Sequence, residues 1–173
     1  KLQDIVCYKI IEGMFPAKVS LSVTAALEHY TASLGSAVLT TDLIDDCDEQ
    51  MKRLFKWHSA EEIEHKTVAY DVLQLVSKSY FLRAFGMFLA TIGLSTMLFL
   101  GTLMFIVQRR VGPIRVAMAL AKKLCDPDGV RKTLMGKQIF EYLRPSFHPN
   151  DLDNVDMAKE YLANHGDPHL AQD

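Results

Sequence analysis

Four ionisable side chains with helical spacing lie in the first half of the 173-residue chain. They occur within residues 57–65 at positions i, i+3, i+4 and i+7. At about 100° per residue, an α-helix places them within one sector of roughly 100°. A carboxylate and an imidazole on one helix face can bind one metal ion, and Glu-x-x-His is a building unit of di-metal sites in helical bundles. The four residues are His58, Glu61, Glu62 and His65.

A further carboxylate precedes this group by 34 residues, counted from Glu28 to Glu62. A helix would place Glu28 on a face of small apolar residues, where an unpaired charge is strongly unfavourable. Glu28 and Glu62 are equidistant from Asp45, which lies in a polar turn, and each leg of the hairpin is roughly 26 Å of helix. Residues equidistant from the turn of an antiparallel hairpin lie opposite each other. The spacing therefore predicts a metal site in which Glu28 meets Glu62 and His65.

The predicted ligands are Glu28, Glu62 and His65, with His58 as a further candidate. Glu61, the remaining carboxylate of the group, is a candidate general base. An ordinary solvated charged face is the alternative for the glutamates. A complete di-metal bundle site needs twice this ligand set, so the rest comes from another copy, from residues before Lys1, or not at all. Carboxylate-rich ligation favours a divalent metal such as iron, with manganese and zinc as alternatives.

The elements that position these side chains are all expected to be helical. No strand-like alternation is found, and Asp46 with Glu49 forms a candidate capping box before the second helix. The fold class is therefore all-α, a helical hairpin or bundle with short C-terminal helices. The predicted helices cover about 19–43, 51–78, 130–143 and 155–164, and a further one ends near residue 14. The predicted regions are the metal-site hairpin (1–80), a membrane segment (81–110), and a basic amphipathic stretch with a helical tail (111–173).

The membrane segment rests on 24 consecutive uncharged positions, residues 84–107. As a helix they extend roughly 36 Å, enough for a hydrocarbon core of about 30 Å. Arg109 and Arg110 follow directly, and more basic residues come before the next acid, Asp126. The segment is predicted to be transmembrane or re-entrant; a buried core helix is the alternative. If it crosses the bilayer once, His148 lies on the opposite side from Glu28.

Composition excludes several function classes. Nineteen Lys and Arg residues against 21 Asp and Glu leave no general basic field, so nucleic-acid binding is not expected. The three cysteines are far apart and form no CxxC pair, so neither a disulfide framework nor a zinc-thiolate site is indicated.

Three segments resemble the bacterial family of predicted metal-dependent hydrolases, which is similar to membrane-associated, ferritin-like di-iron proteins. They are residues 26–32, 57–66 with Asp71, and 143–149. The resemblance covers about residues 15–150 and only the later half of the family, whose earlier half carries a further Glu and a Gln-Glu-x-x-His-x-x-x-His motif. It implies Glu28, Glu62 and His65 as ligands, and Glu61, His58 and His148 as candidates near the metal.

Together these features predict a membrane-associated metal-dependent enzyme with a Glu/His di-metal site. It would act on a lipid-like substrate by hydrolysis or by O₂-dependent oxidation. Membrane lipid is the expected partner, with a homodimer or a larger membrane complex as further expectations. The expected location is the bacterial inner membrane, as an integral or monotopic protein. The alternative is a non-catalytic subunit of a membrane complex with a vestigial half-site.

Overall fold

The computed structural model describes residues 15–109, 112, 114–118, 121 and 137–166. Over these residues it contains helices and no strand, so the all-α prediction is confirmed. In chain order, the helices of the described residues are α1 Ala17–Thr40, α2 Glu49–His65, α3 Val68–Val76, α4 Tyr80–Arg109, α5 Lys137–Tyr142, the 3₁₀-helix Pro149–Asp151, and α6 Val155–His165. The helix predicted before residue 14 and most of the basic stretch lie outside the described residues.

The hairpin of α1 and α2 forms as predicted, but its turn is capped by a different residue. Asp48, not Asp46, is the N-cap of α2, and its side chain accepts a hydrogen bond from the Gln50 backbone N–H at 2.9 Å. The capping-box prediction was wrong because α2 begins at Glu49, which leaves Asp46 outside the helix. Asp is a favoured N-cap residue at either position, so the sequence pattern did not distinguish Asp46 from Asp48 as the residue that caps α2.

The predicted helix over residues 51–78 is broken at Lys66 and Thr67. Both residues keep right-handed helical backbone angles, so the chain bends there without turning back. The cause is tertiary: Lys66 is 2% exposed, and its Nζ donates to Leu152 O at 2.5 Å and to Asn154 Oδ1. A residue that reads as solvent-facing in the sequence is therefore anchored against the chain that leads into α6.

The first half of α4 packs tightly on α1. Gly86 lies so close to Ser22 that a Cβ at this position would approach the Ser22 backbone to 2.6 Å. The Ser22 hydroxyl donates to Leu82 O at 2.8 Å, and the Tyr30 and Thr91 hydroxyls are 2.7 Å apart. The second half of α4 extends beyond this contact with its apolar side chains exposed.

One core cluster joins α1, α3, α4 and the segment that follows α5. Its buried members come from all three predicted regions: Ala26, Tyr30, Tyr70, Met87, Ala90, Tyr142 and Phe147. A second cluster packs α6 on α2 through Ala60, Ile63 and Ala158. The C-terminal segment is thus part of the same packed body as the hairpin that carries the predicted site.

Candidate metal centre

The hairpin register brings the predicted ligand helices together close to the expected alignment. The α1 and α2 backbones touch at Gly35, where a Cβ would lie 2.7 Å from Ser59 O. These two residues are equidistant from residue 47, whereas Glu28 and Glu62 are equidistant from residue 45. Residue 66 is therefore level with Glu28, and Glu62 lies four residues, about 6 Å or roughly one helical turn, away from that level.

Glu28 is the residue with the most unusual environment. It is half-buried, and its Oε2 atom is buried with no hydrogen-bond partner. Burial raises the pKa of Glu28 above its ordinary value; the Glu62 carboxylate raises it further, and His65 lowers it. The electrostatic interactions show that Glu28 lies near both residues the spacing paired with it. A buried carboxylate oxygen without a partner is an open donor position for a cation.

Glu62 and His58 form a pair on α2. His58 Nε2 is 3.4 Å from Glu62 Oε1, one turn along the helix. The Glu62 side chain is 25% exposed and that of His58 is 60% exposed. This contact orients the Glu62 carboxylate at the edge of the buried face of α2.

His65 and Glu61 occupy less enclosed positions. His65 is the last residue of α2 and is exposed, while Glu61 is half-buried. At about 100° per residue, Glu61 lies roughly 160° around the helix from the fully buried Ile63. The four-residue sector therefore lies mostly on the side of α2 away from its packed face, and Glu62 is its member closest to that face.

The predicted donors do not converge as a finished site. Among the residues that the structure describes, no three His, Cys, Asp or Glu side chains are placed to hold one ion. Glu28, Glu62 and His65 interact electrostatically but leave a common ion position incomplete. The assignments of Glu28, Glu62, His65, His58 and Glu61 therefore stay predictions.

His148 lies in a different contact, against Asp71 of α3. Its Nδ1 accepts the Asn150 backbone N–H at 3.2 Å, so Nε2 carries the proton and donates to Asp71 Oδ1 at 3.0 Å. The His148 ring also packs edge-on against Tyr70. The structure thus places His148 on the same body as Glu28, and its role near a metal stays a prediction.

Sequence spacing missed the buried polar groups that hold this region. Arg83 is 3% exposed and donates to Tyr142 O and, at 2.8 Å, to Arg144 O. Its guanidinium lies 5.3 Å from the ring centroids of Tyr80 and Tyr142. His29 is also buried and contacts the rings of Tyr142 and Phe147. Only the aromatic content around residues 142–148 hinted at this cluster, because more than 50 residues separate the partners along the chain.

Comparison with known proteins gives one match. The profile of the family described as predicted metal-dependent hydrolase matches residues 2–153. No curated protein and no solved structure matches the chain significantly. The match includes α1 to α5 with Glu28, the Glu62–His65 pair and His148. A metal-dependent hydrolase family implies a divalent metal. The chain belongs to the family of predicted metal-dependent hydrolases.

Proposed function

We propose that this chain is a membrane-associated metal-dependent hydrolase whose metal is held by Glu28, Glu62 and His65. The observation that carries the proposal is the buried Oε2 of Glu28, which has no hydrogen-bond partner, in a carboxylate that interacts electrostatically with Glu62 and His65. A protein with no use for this carboxylate gains nothing from burying it, because a charged oxygen without a partner is costly. A cation removes that cost and uses the carboxylate as a ligand.

The donor set fits a divalent metal in kind and is incomplete in number. Two carboxylates and one imidazole are hard and borderline ligands, which suit iron, manganese or zinc. The metal, when bound, lowers the pKa of water at the site and polarises the bond to be cleaved. The remaining donors come from a second copy or from a further segment of the protein. We assign His58 to orienting Glu62 and Glu61 to accepting the proton of the attacking water.

A hydrophobic substrate is favoured by the surroundings of the site. Helix α1 carries Glu28 and also packs against α4, whose apolar side chains are exposed. By length and composition, the segment Tyr80–Gln108 is the one described helix able to cross a membrane, and 6% of its most apolar window is buried. A lipid-like molecule held at such a surface lies close to the proposed site.

The carboxylate-rich donor set also favours a second chemistry, O₂-dependent oxidation at a di-iron site. The incomplete ligand set favours the third candidate, a non-catalytic subunit of a membrane complex. Oxygen uptake distinguishes the oxidative chemistry from hydrolysis. The presence of bound metal distinguishes either enzyme from the non-catalytic subunit.

The test is metal content by plasma mass spectrometry, measured on protein purified in mild detergent. We compare the wild type with Glu62→Gln and His65→Ala, and use Glu64→Gln, an exposed position on the same helix, as the matched control. Stoichiometric metal in the wild type and the control, lost in the two ligand variants, supports the site. Circular dichroism checks that each variant is folded. No metal in folded wild type, or equal metal in all four proteins, overturns it.

Activity is then measured with a chromogenic fatty-acyl ester before and after metal removal by a chelator. We expect hydrolysis that is lost with the metal and restored on reloading. Glu61→Gln is expected to keep the metal and lose hydrolysis by roughly 100-fold, within the usual range for a general base. Oxygen uptake without ester cleavage would replace the hydrolytic assignment with the oxidative one.

A further inference from the structure

Helix α4 presents one continuous apolar stripe to the outside. In its first half, the face opposite α1 exposes phenylalanines, among them Phe81 (83% exposed) and Phe88 (58% exposed). Phe85 and Phe88 stack with ring centroids 6.5 Å apart. At about 100° per residue, the exposed apolar positions of both halves fall on one line that runs most of the roughly 45 Å helix. The stripe consists of Phe81, Phe85, Phe88, Ile92, Phe99 and Leu103.

Beyond Leu94, one full turn of the helix is apolar on every side. The consecutive residues Met97, Leu98, Phe99 and Leu100 are each at least 50% exposed, which covers a full helical turn. A helix that is apolar all round belongs in an apolar medium, either a protein interior or a bilayer. None of the described parts of the chain covers this half.

The chain after α4 returns to the body from which α4 leaves. Arg83, near the start of α4, binds the carbonyls of Tyr142 and Arg144. Tyr80 donates to Leu143 O at 2.9 Å, and Tyr70 donates to Phe147 O. The segment over residues 142–148 therefore lies on the same side of any membrane as α1 and α3.

The sequence between these points has no second crossing segment. Residues 110–136 contain no uncharged run longer than the six positions 116–121. A crossing helix needs about 20 apolar residues, and a charge at the bilayer centre costs about 3 kcal/mol. If α4 crossed the bilayer, these residues would have to carry the chain back through it with all their charges.

Charge after the helix matches one surface of a membrane. Arg109, Arg110 and Arg115 are followed by two lysines, and the first acid is Asp126. Such a basic stretch binds anionic headgroups by roughly 1 kcal/mol for each basic residue near the surface. The apolar stripe and the basic stretch thus fit the same occupant, an anionic lipid leaflet.

We infer that α4 inserts lengthwise into one leaflet of an anionic bilayer and does not cross it. The inference rests on the membrane association proposed above and specifies its topology as monotopic. Helix α1 then lies directly above the inserted helix and contacts it through Ser22 and Tyr30. The two helix axes are about 10 Å apart, one helix diameter. Lipid enters the proposed site sideways from this leaflet.

The inference is tested by measuring how deeply α4 enters the bilayer and on which side of it the rest of the chain lies. The full chain is added to preformed vesicles of phosphatidylcholine and phosphatidylglycerol. Tryptophan is placed at Phe85 or Phe99 in a Trp57→Phe background, and quenching is compared for lipids brominated near the headgroups or near the bilayer centre. Three single-cysteine variants are labelled with a membrane-impermeant maleimide. One retains Cys47 as its only cysteine, and the other two carry Lys159→Cys or Gln108→Cys with the native cysteines replaced.

We expect both tryptophans to be quenched, more strongly by the shallow bromines, and all three cysteines to be labelled from outside. Phe85→Ser with Phe88→Ser should weaken vesicle binding at least tenfold, since two buried phenylalanine side chains are lost. Phe55→Ser, a similarly exposed phenylalanine on α2, is the matched control and should bind as the wild type.

Labelling at Lys159 and Cys47 with protection at Gln108, and deep quenching at Phe99, would show a transmembrane helix and overturn the inference. Absence of quenching, with a stable dimer by light scattering, would also overturn it and assign the stripe to a second copy. Metal content measured on the same variants keeps the two proposals separate, because a failed topology with retained metal leaves the hydrolase assignment intact.

Discussion

At the residue scale, the main indication of function is the unfavourable free energy of burying the Glu28 carboxylate without a hydrogen-bond partner for Oε2. Its carboxylate is desolvated and lies near a second carboxylate, Glu62, while His65 compensates only in part. Structural carboxylates in helices usually bind an N-terminus or a basic partner, whereas Glu28 Oε2 has neither among its hydrogen bonds. The arrangement is unfavourable for the metal-free chain and favourable for one that binds a cation.

Glu28→Gln is therefore expected to stabilise the metal-free protein at neutral pH, by about 1 kcal/mol, because the part-exposed side chain is screened by solvent. The same substitution should abolish or strongly weaken metal binding. Thermal unfolding in the presence of a chelator, and again after metal loading, measures both effects. A destabilised metal-free variant would contradict the proposed cost of the carboxylate.

The pH dependence of this effect has a defined sign. The pKa of Glu28 is raised in the folded chain above its ordinary value of 4.5, so the folded state holds the proton more tightly than the unfolded state. Its contribution to stability is fully present at acidic pH and is lost as pH rises from the ordinary value through the folded pKa. The advantage of the glutamine variant should consequently shrink as pH falls through the folded pKa of Glu28, and it should be absent below 4.5.

At the scale of the elements, two close backbone approaches set the positions of the helices. Gly35 sets the separation of α1 and α2, and Gly86 sets that of α1 and α4. Both positions need the missing side chain, because a Cβ would meet backbone atoms that do not rotate away. The distance between Glu28 and Glu62 therefore depends on a residue that is itself no ligand.

Gly35→Ala is expected to destabilise the fold by about 1–3 kcal/mol and to lower metal affinity, since α1 must move away from Ser59 O. Gly93→Ala on α4 is the control, because its Cβ meets nothing within 4 Å and alanine favours the helix. Chemical denaturation and metal titration of the two variants measure the difference. Equal behaviour of both variants would show that the hairpin contact is unimportant.

At the scale of the whole molecule, Arg83 and the surrounding rings close the chain on itself. The guanidinium donates to the carbonyls of Tyr142, the last residue of α5, and Arg144, while the Tyr70 and Tyr80 hydroxyls donate to two carbonyls of the segment after α5. This closure brings His148 to Asp71 and places the C-terminal helices beside the hairpin. It also limits the ways in which α4 can meet a membrane.

Arg83→Lys is expected to loosen this closure, because an ammonium does not reproduce the forked hydrogen bonds of a guanidinium. We expect a loss of roughly 2 kcal/mol and faster tryptic cleavage in the segment after α4. Arg53→Lys, at an exposed position on α2, serves as the control and should behave as the wild type. Unchanged cleavage in the Arg83 variant would place the anchoring of the segment in the tyrosine contacts alone.

Sequence patterns predicted the all-helical fold and the hairpin of α1 and α2 because both follow from local periodicity. A helical hairpin converts equal distances from its turn into spatial opposition, so the pairing of α1 with α2 needs no other part of the chain. The apolar run over residues 84–107 was similarly visible, since the length of an apolar helix is a local property.

The bend at Lys66, the pairing of His148 with Asp71, and the burial of Arg83 were not predictable in this way. Each depends on partners 59 to 88 residues away along the chain, and no periodicity encodes such a meeting. Packing alone decided that the segment after α5 returns to the start of α4. The same contacts bring His148 against Asp71 and Tyr70, because the buried rings and Arg83 satisfy their apolar surface and hydrogen bonds there.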